Sequence, residues 1–108
     1  MNRGDIYLVS LDPTSDHEQK RMHPVLVVSP EPFNKLTKTP IVVPITTGGN
    51  FARVAGFTVD LVGTKTGGMA RCDPARVLDL SAQKAKRLER VSAEVMDDVL
   101  AKLATLIS

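Results

Sequence analysis

Arginine and aspartate stand two positions apart in the segment Arg71-Cys72-Asp73, which follows a glycine-rich loop. Successive side chains of a strand point to opposite faces, so we expect Arg71 and Asp73 to share one face while Cys72 points into the core. A guanidinium can hold two oxygens of an anion, and a carboxylate can remove a proton. The pair is therefore a candidate catalytic centre; the alternative is a surface ion pair that contributes little.

A long polar segment, residues 12–23, carries a second candidate, His17. A long loop in so small a chain is often functional. An imidazole can transfer a proton or stabilise charge near neutral pH. The alternative is a solvated polar loop without a chemical role.

A third candidate segment runs from Thr46 through two glycines to Arg53. Its glycines permit close approach of the backbone to a ligand, and its arginine can bind a phosphate. The aromatic ring of Phe51 can stack on a base, as in proteins that bind single strands. The alternative is a hairpin loop whose phenylalanine folds back into the core. The other polar side chains of this segment are Thr47 and Asn50.

The overall charge and the metal-binding residue types restrict the function only weakly. The net charge of +2 permits a polyanionic partner without requiring one. A single cysteine excludes an intramolecular disulfide and a cysteine-based zinc site, and His17 and His23 lack the spacing of a helical metal pair. We therefore expect no metal and no cofactor. A basic cluster before the last helix could follow a phosphate backbone or form a solvated flank; it comprises Lys84, Lys86, Arg87 and Arg90.

Short strands followed by one helix must position these residues. A helix capped by Ser92 is predicted from apolar residues at helical spacing, namely Val95, Met96, Val99, Leu100, Leu103, Leu106 and Ile107. The predicted strands are Ile6–Leu11, Pro24–Ser29, Ile41–Thr46, Gly56–Leu61, Met69–Cys72 and Arg76–Leu80, with a helical turn at Phe33–Lys38. This order predicts one mainly β domain over residues 1–108: a small curled antiparallel sheet or partly open barrel packed on a C-terminal helix.

No apolar run approaches the ~20 residues of a membrane helix, so we expect no membrane association. The first residues lead directly into a strand pattern and lack the features of a signal peptide, which predicts a cytoplasmic protein.

Several segments taken together resemble the MazF/PemK/Kid family of toxins. The matching segments are Arg3-Gly4-Asp5, Leu11-Asp12-Pro13, His17-Glu18-Gln19, His23 through Ser29, Phe33-Asn34, Val43-Pro44-Ile45-Thr46, Gly48 through Phe57 and Arg71-Cys72-Asp73. The run from Gly48 to Phe57 is most similar to the plasmid-borne PemK/Kid branch. The resemblance extends along essentially the whole chain in the same order.

The resemblance implies a Src-homology-3-like barrel, a homodimer, a sequence-specific endoribonuclease that inhibits translation and growth, and a cognate antitoxin that blocks the site. It implies that Asp73 is the base, that Arg71 is the acid or a stabiliser, and that His17 stabilises charge. The groove for single-stranded RNA would contain Thr46, Thr47, Phe57 and Met69. The predicted substrate-binding set also includes Asn50, Phe51, Arg53, Ala55 and Arg76.

Metal-free RNA cleavage by such a set would use the 2′-hydroxyl of the substrate as nucleophile and leave a 2′,3′-cyclic phosphate and a 5′-hydroxyl. A guanidinium holds its protons tightly, so we expect Arg71 to stabilise charge and His17 to be the easier acid. Two alternatives remain: a toxin of the CcdB type that binds and poisons DNA gyrase, and a barrel that binds RNA without cutting it. The absence of tryptophan counts against the first, whose characteristic feature is a C-terminal tryptophan motif.

Overall fold

The computed structural model describes residues 1–10, 22–46, 58–72, 76–77 and 85–107. The elements in these ranges are β1 (Asp5–Ser10), β2 (Met22–Val27), α1 (Glu31–Thr37), β3 (Ile41–Thr46), β4 (Thr58–Asp60), β5 (Met69–Arg71), β6 (Arg76–Val77), β7 (Lys86–Arg90) and α2 (Ala93–Ile107). The mainly β architecture with a C-terminal helix confirms the predicted fold class.

The described strands form one antiparallel sheet with the order β4-β5-β3-β2-β1-β7, and β6 pairs with β3 beside this path. The central register places Ile6 opposite Leu26 and Leu26 opposite Val43. All three side chains are fully buried. A continuous apolar run such as Val25–Val28 is typical of a central strand. β2 and its neighbour β3 lie in the middle of the sheet, and apolar residues are buried on both faces of each.

The main core lies between one face of the sheet and α2. Val95, Met96 and Val99 of the helix are buried in the same cluster as Val59 and Ala70 of the sheet. The hydroxyl of Ser92 accepts a hydrogen bond from the Val95 amide at 3.2 Å, which confirms the predicted N-cap.

The predicted apolar face of α2 is not buried along its whole length. Leu106 is 41% exposed, whereas Val95 and Val99 lie in the core.

A smaller cluster covers part of the opposite face of the sheet. Val9, Val25, Val27 and Val42 are buried there, with Tyr7 and Ala85 packed against them. No helix in the described ranges is long and apolar enough to cross a membrane.

The predicted boundaries are accurate for β3 and shifted elsewhere. β2 begins at Met22 instead of Pro24, because pairing with Ser10 extends it beyond the proline. α1 begins at Glu31 and forms a real helix instead of one turn, since Pro32 lies in the first turn, where a missing amide costs little. Residues 11, 56–57 and 78–80 of the predicted strands lie outside the described ranges.

The structure adds a strand where the sequence suggested a charged flank. Lys86–Arg90 pairs with β1, and the register shifts between Ile6 and Tyr7, which marks a bulge. Apolar alternation is absent from this strand, so its pattern gave no strand signal.

Candidate active site

One face of the β3, β5 and β4 strands carries the polar residues that could act on a substrate; we call it the β3–β5–β4 face. Thr46 pairs with Met69, and Met69 pairs with Asp60. Arg71 pairs with Thr58 one pleat further along. Because paired residues in antiparallel strands point to the same side, and residues two apart in a strand do as well, all five side chains share this face.

The opposite face of the same strands anchors them in the core. Ile45, Val59 and Ala70 are buried there in the main cluster. Cys72 is fully buried in that cluster, so the prediction that it is a small core residue is confirmed. Apolar packing on one side therefore holds the polar residues in place on the other side.

Two buried polar atoms on this face have no hydrogen-bond partner within the described part of the chain: Thr46 Oγ1 and Arg71 Nε. A buried polar group without a partner costs roughly 1–3 kcal/mol, so such atoms are rare in folded proteins. Met69 lies on the strand of Arg71, pairs with Thr46 and is buried, so it forms an apolar floor beside them. A hydroxyl and a guanidinium beside an apolar floor can bind an anion together with a flat apolar group.

Three of the predicted site residues within the described ranges lie together on this face: Thr46, Met69 and Arg71. Arg76 lies on β6, where its backbone pairs with Val42, nearer the other end of β3 than Thr46. The remaining predicted site residues lie outside the described ranges: His17, Thr47, Asn50, Phe51, Arg53, Ala55, Phe57 and Asp73.

Thr58 and Asp60 were not among the site residues predicted from the sequence. They alternate with the apolar Val59, a pattern typical of a half-buried strand with one polar side. Their position beside Arg71 and Met69 depends on the register of β4 with β5. That register is a non-local property, so alternation alone could not reveal it.

The far edge of the sheet holds a second charged group. The Asp5 carboxylate is almost fully buried, and its Oδ1 lies 3.3 Å from Arg87 Nε and 3.8 Å from Arg90 Nε. Burial, followed by the nearby Asp5 charge, raises the pKa of Tyr7 above its ordinary value, while Arg87 opposes this effect. Two members of the basic cluster therefore face a buried carboxylate instead of forming a free, purely basic strip.

In the described ranges, no three histidine, cysteine, aspartate or glutamate side chains lie close enough to hold a metal ion.

Comparison with known proteins identifies the family. A model of the PemK-like, MazF-like toxins of type II toxin–antitoxin systems matches residues 2–107. The chain is 54% identical over 110 residues to the endoribonuclease PemK of Escherichia coli, covering 100% of this chain and 83% of that protein. It is 44% identical to the endoribonuclease toxin ChpB of Escherichia coli strain K12, covering 97% of this chain and 92% of ChpB.

The fold agrees with solved structures of the same group. A MazE–MazF crystal structure from Deinococcus radiodurans superposes with a TM-score of 0.82 at 24% identity, covering 100% of this chain and 95% of that chain. The curated relatives are named as endoribonucleases, which favours RNA cleavage over the gyrase-binding alternative and over an RNA-binding barrel without activity. The chain belongs to the family of PemK-like and MazF-like endoribonuclease toxins of type II toxin–antitoxin systems.

Proposed function

We propose that this toxin cuts single-stranded RNA on the β3–β5–β4 face without a metal ion, through attack of the substrate 2′-hydroxyl. The observation that carries the proposal is the strand register, which places Thr46, Met69 and Arg71 side by side on this face. A phosphodiester would supply oxygen acceptors to the Thr46 hydroxyl and the Arg71 guanidinium. Met69, buried beside them, would lie against a base or ribose.

Arg71 is proposed to stabilise the transition state. Attack of the 2′-hydroxyl builds negative charge on the non-bridging phosphate oxygens, and a planar guanidinium can hold two oxygens at once. The core residues Ala70 and Cys72 flank Arg71 in the chain and anchor its backbone. A donor fixed in advance stabilises developing charge without reorganising during the reaction.

Asp73 and His17 are proposed to move the two protons. Asp73 follows Cys72 directly, so continued strand alternation would return its carboxylate to the face of Arg71. It would accept the 2′-hydroxyl proton, and His17 would protonate the departing 5′-oxygen. These two roles are supported by the sequence pattern and by the family resemblance.

The proposed RNA groove extends from this centre along residues that sequence reasoning selected. Thr46 and Met69 lie beside Arg71 on the described face. The remaining proposed groove residues are Thr47, Asn50, Phe51, Arg53, Ala55, Phe57 and Arg76. With aromatic residues at only 4% of the chain, recognition of bases would use one or two rings together with backbone groups.

A cleavage assay in EDTA tests the proposal. The wild-type chain is incubated with a long single-stranded RNA beside Asp73→Asn and His17→Ala, and the product ends are mapped. Discrete cuts with 2′,3′-cyclic phosphate and 5′-hydroxyl ends, lost or strongly slowed in the variants, are expected. A substrate with a 2′-deoxyribose at the cut site should bind and remain intact. Unchanged rates in both variants would remove these residues from the mechanism.

We also propose that the chain is a cytoplasmic homodimer, as the family resemblance implies, and that a cognate antitoxin inhibits it. The superposed Deinococcus radiodurans structure contains MazF together with MazE, which supports an antitoxin partner. Light scattering of the purified chain should give twice the mass of 11.7 kDa. Addition of the antitoxin encoded beside it should abolish RNA cleavage, whereas cleavage at full rate in a stable complex would contradict blockage of the site.

A further inference from the structure

The two ends of the sheet are joined through one carboxylate. β4 and β7 stand at opposite ends of the strand order, and they do not pair in the described part of the chain. The β4–β5 loop, residues 61–68, nevertheless reaches β7 at Glu89. The Glu89 carboxylate accepts hydrogen bonds from the Lys65 amide at 3.1 Å, the Thr66 amide at 2.7 Å and the Thr66 hydroxyl at 2.5 Å.

The β4–β5 loop is internally fastened, so a contact at its tip constrains its ends. The Thr64 hydroxyl donates to the Leu61 carbonyl at 2.9 Å and accepts from the Gly67 amide at 3.0 Å. The Leu61 amide donates to the Gly68 carbonyl at 3.0 Å and closes the base of the loop. Gly68 is bonded to Met69, the first residue of β5. These hydrogen bonds, together with the short stretches of backbone between them, therefore connect Glu89 with the strand that carries Arg71.

The electrostatic surroundings favour the charged form of Glu89. The hydrogen bond from the Thr66 hydroxyl is the largest effect and lowers the pKa of Glu89 below its ordinary value. Burial, the next largest effect, opposes it, and the two amide hydrogen bonds and the Lys65 charge add to the lowering. On its own strand, Arg87 and Arg90 face Asp5 instead. At neutral pH the carboxylate is ionised and can accept all three hydrogen bonds.

We propose that Glu89 is a positioning residue for RNA cleavage: by fastening the β4–β5 loop to β7, it closes the open sheet and fixes the β5 strand that presents Arg71. This inference rests on the proposed role of the β3–β5–β4 face. In this role Glu89 acts through Arg71 and not through contact with the substrate. Its effect arises because a small displacement of a catalytic group lowers the rate of a reaction that depends on orientation.

Paired substitutions test the proposal. Glu89→Gln removes the charge and turns one acceptor into a donor, and Thr66→Val removes the hydroxyl while keeping the shape. We expect each to lower kcat, Glu89→Gln by roughly tenfold, with KM for RNA within about twofold. Thr66→Ser keeps the hydroxyl and should restore the wild-type rate. Asp98→Asn, which removes an exposed negative charge from α2, is the matched control and should leave kcat unchanged.

The double variant separates a shared contact from two independent effects. Because Glu89 and Thr66 act through one contact, Glu89→Gln combined with Thr66→Val should lose little more activity than Glu89→Gln alone. If the loss of kcat in the double variant equals the product of the two single-variant losses, the proposal is overturned. If Glu89→Gln does not fold, the kcat of Thr66→Val is compared with that of Thr66→Ser, which tests the same contact from the side of the loop.

Amide hydrogen exchange provides a measurement that does not depend on activity. In Glu89→Gln, exchange at Lys65, Thr66 and Arg71 should accelerate, while exchange at Leu26 in the core stays the same. Faster exchange confined to the loop, with β5 and kcat unchanged, would overturn the positioning role. A wild-type chain that cuts no RNA would overturn the proposed function. Unchanged exchange at Lys65 and Thr66 in Glu89→Gln would overturn only the proposal that Glu89 fastens the loop.

Discussion

The surroundings of Arg71 differ from those of an exposed surface arginine. Its side chain is half-buried, its Nε is buried without a partner in the described part of the chain, and its strand neighbours lie in the core. A surface ion pair, the modest alternative for this residue, would leave the guanidinium in water. The observed burial favours a role in holding a ligand.

Replacing Arg71 by lysine should therefore not preserve activity. Lysine keeps the charge but loses the planar pair of donors, and removing one preorganised donor costs on the order of 100-fold in kcat. Steady-state cleavage of a defined RNA measures the loss. Arg90→Lys, the same change at an exposed residue of β7, should remain within about twofold of wild type. Equal activity of Arg71→Lys and wild type would show that the guanidinium geometry is not used.

Glu89 should make stability depend on pH. Because its pKa is lowered in the folded chain, its stabilising contribution is fully present above the unfolded value and disappears as pH falls through the folded one. Urea unfolding of wild type and Glu89→Gln should differ most near about pH 7 and converge near about pH 3. A difference that is constant across this range would mean that the carboxylate charge does not contribute.

At the scale of secondary-structure elements, strand pairing outweighs the hydrophobic pattern of the local sequence. β7 contains four charged residues among five, yet it forms a strand because it pairs with β1 and because Asp5 on β1 draws Arg87 and Arg90 towards it. Charged side chains and a bulge on a strand at the end of the sheet also discourage pairing with other chains. The basic residues of β7 therefore belong to the strand at one end of the sheet.

The β4–β5 loop depends on backbone conformation as well as on Glu89. Gly67 has φ of +68°, and a Cβ at this position would meet no atom within 4 Å. The cost of Gly67→Ala is therefore conformational and should be about 1–2 kcal/mol of unfolding free energy. Gly67→Asn should cost less, because asparagine tolerates this conformation better. Thermal unfolding shows which of the two variants loses more stability, and equal losses of stability would contradict this explanation.

At the scale of the whole molecule, one core joins α2, the middle of the sheet and the strands of the candidate site. The cluster that contains Val99 also contains Ile45, Val59, Ala70 and Cys72 behind the β3–β5–β4 face. A substitution that leaves a cavity beside α2 should therefore also disturb the packing behind the candidate site, because closely packed interiors transmit changes in volume.

Val99→Ala should lower the free energy of unfolding by about 2–3 kcal/mol, because Val99 is fully buried and truncation leaves a cavity. Leu106→Ala on the same helix is the matched control, and it should change stability by less than about 1 kcal/mol, since that side chain is 41% exposed. Chemical denaturation measures both. Similar losses in the two variants would contradict the assignment of the core.

Local patterns in the sequence determined a large part of this protein. Alternation identified the polar and apolar sides of β4 and β5, helical spacing and Ser92 located α2, and the continuous apolar run Val25–Val28 indicated a central position for β2. These features depend on neighbours in the chain, so the sequence contains them directly. The motifs together also indicated the toxin family, which the comparisons confirmed.

Only the tertiary structure decided which distant residues meet. The pairing of Thr58 with Arg71, the pairing of β7 with β1, and the contact of Glu89 with Lys65 and Thr66 all join segments far apart in sequence. No local pattern specifies strand register or the partner of a single carboxylate, because both follow from how the whole chain buries its apolar surface while satisfying its polar groups.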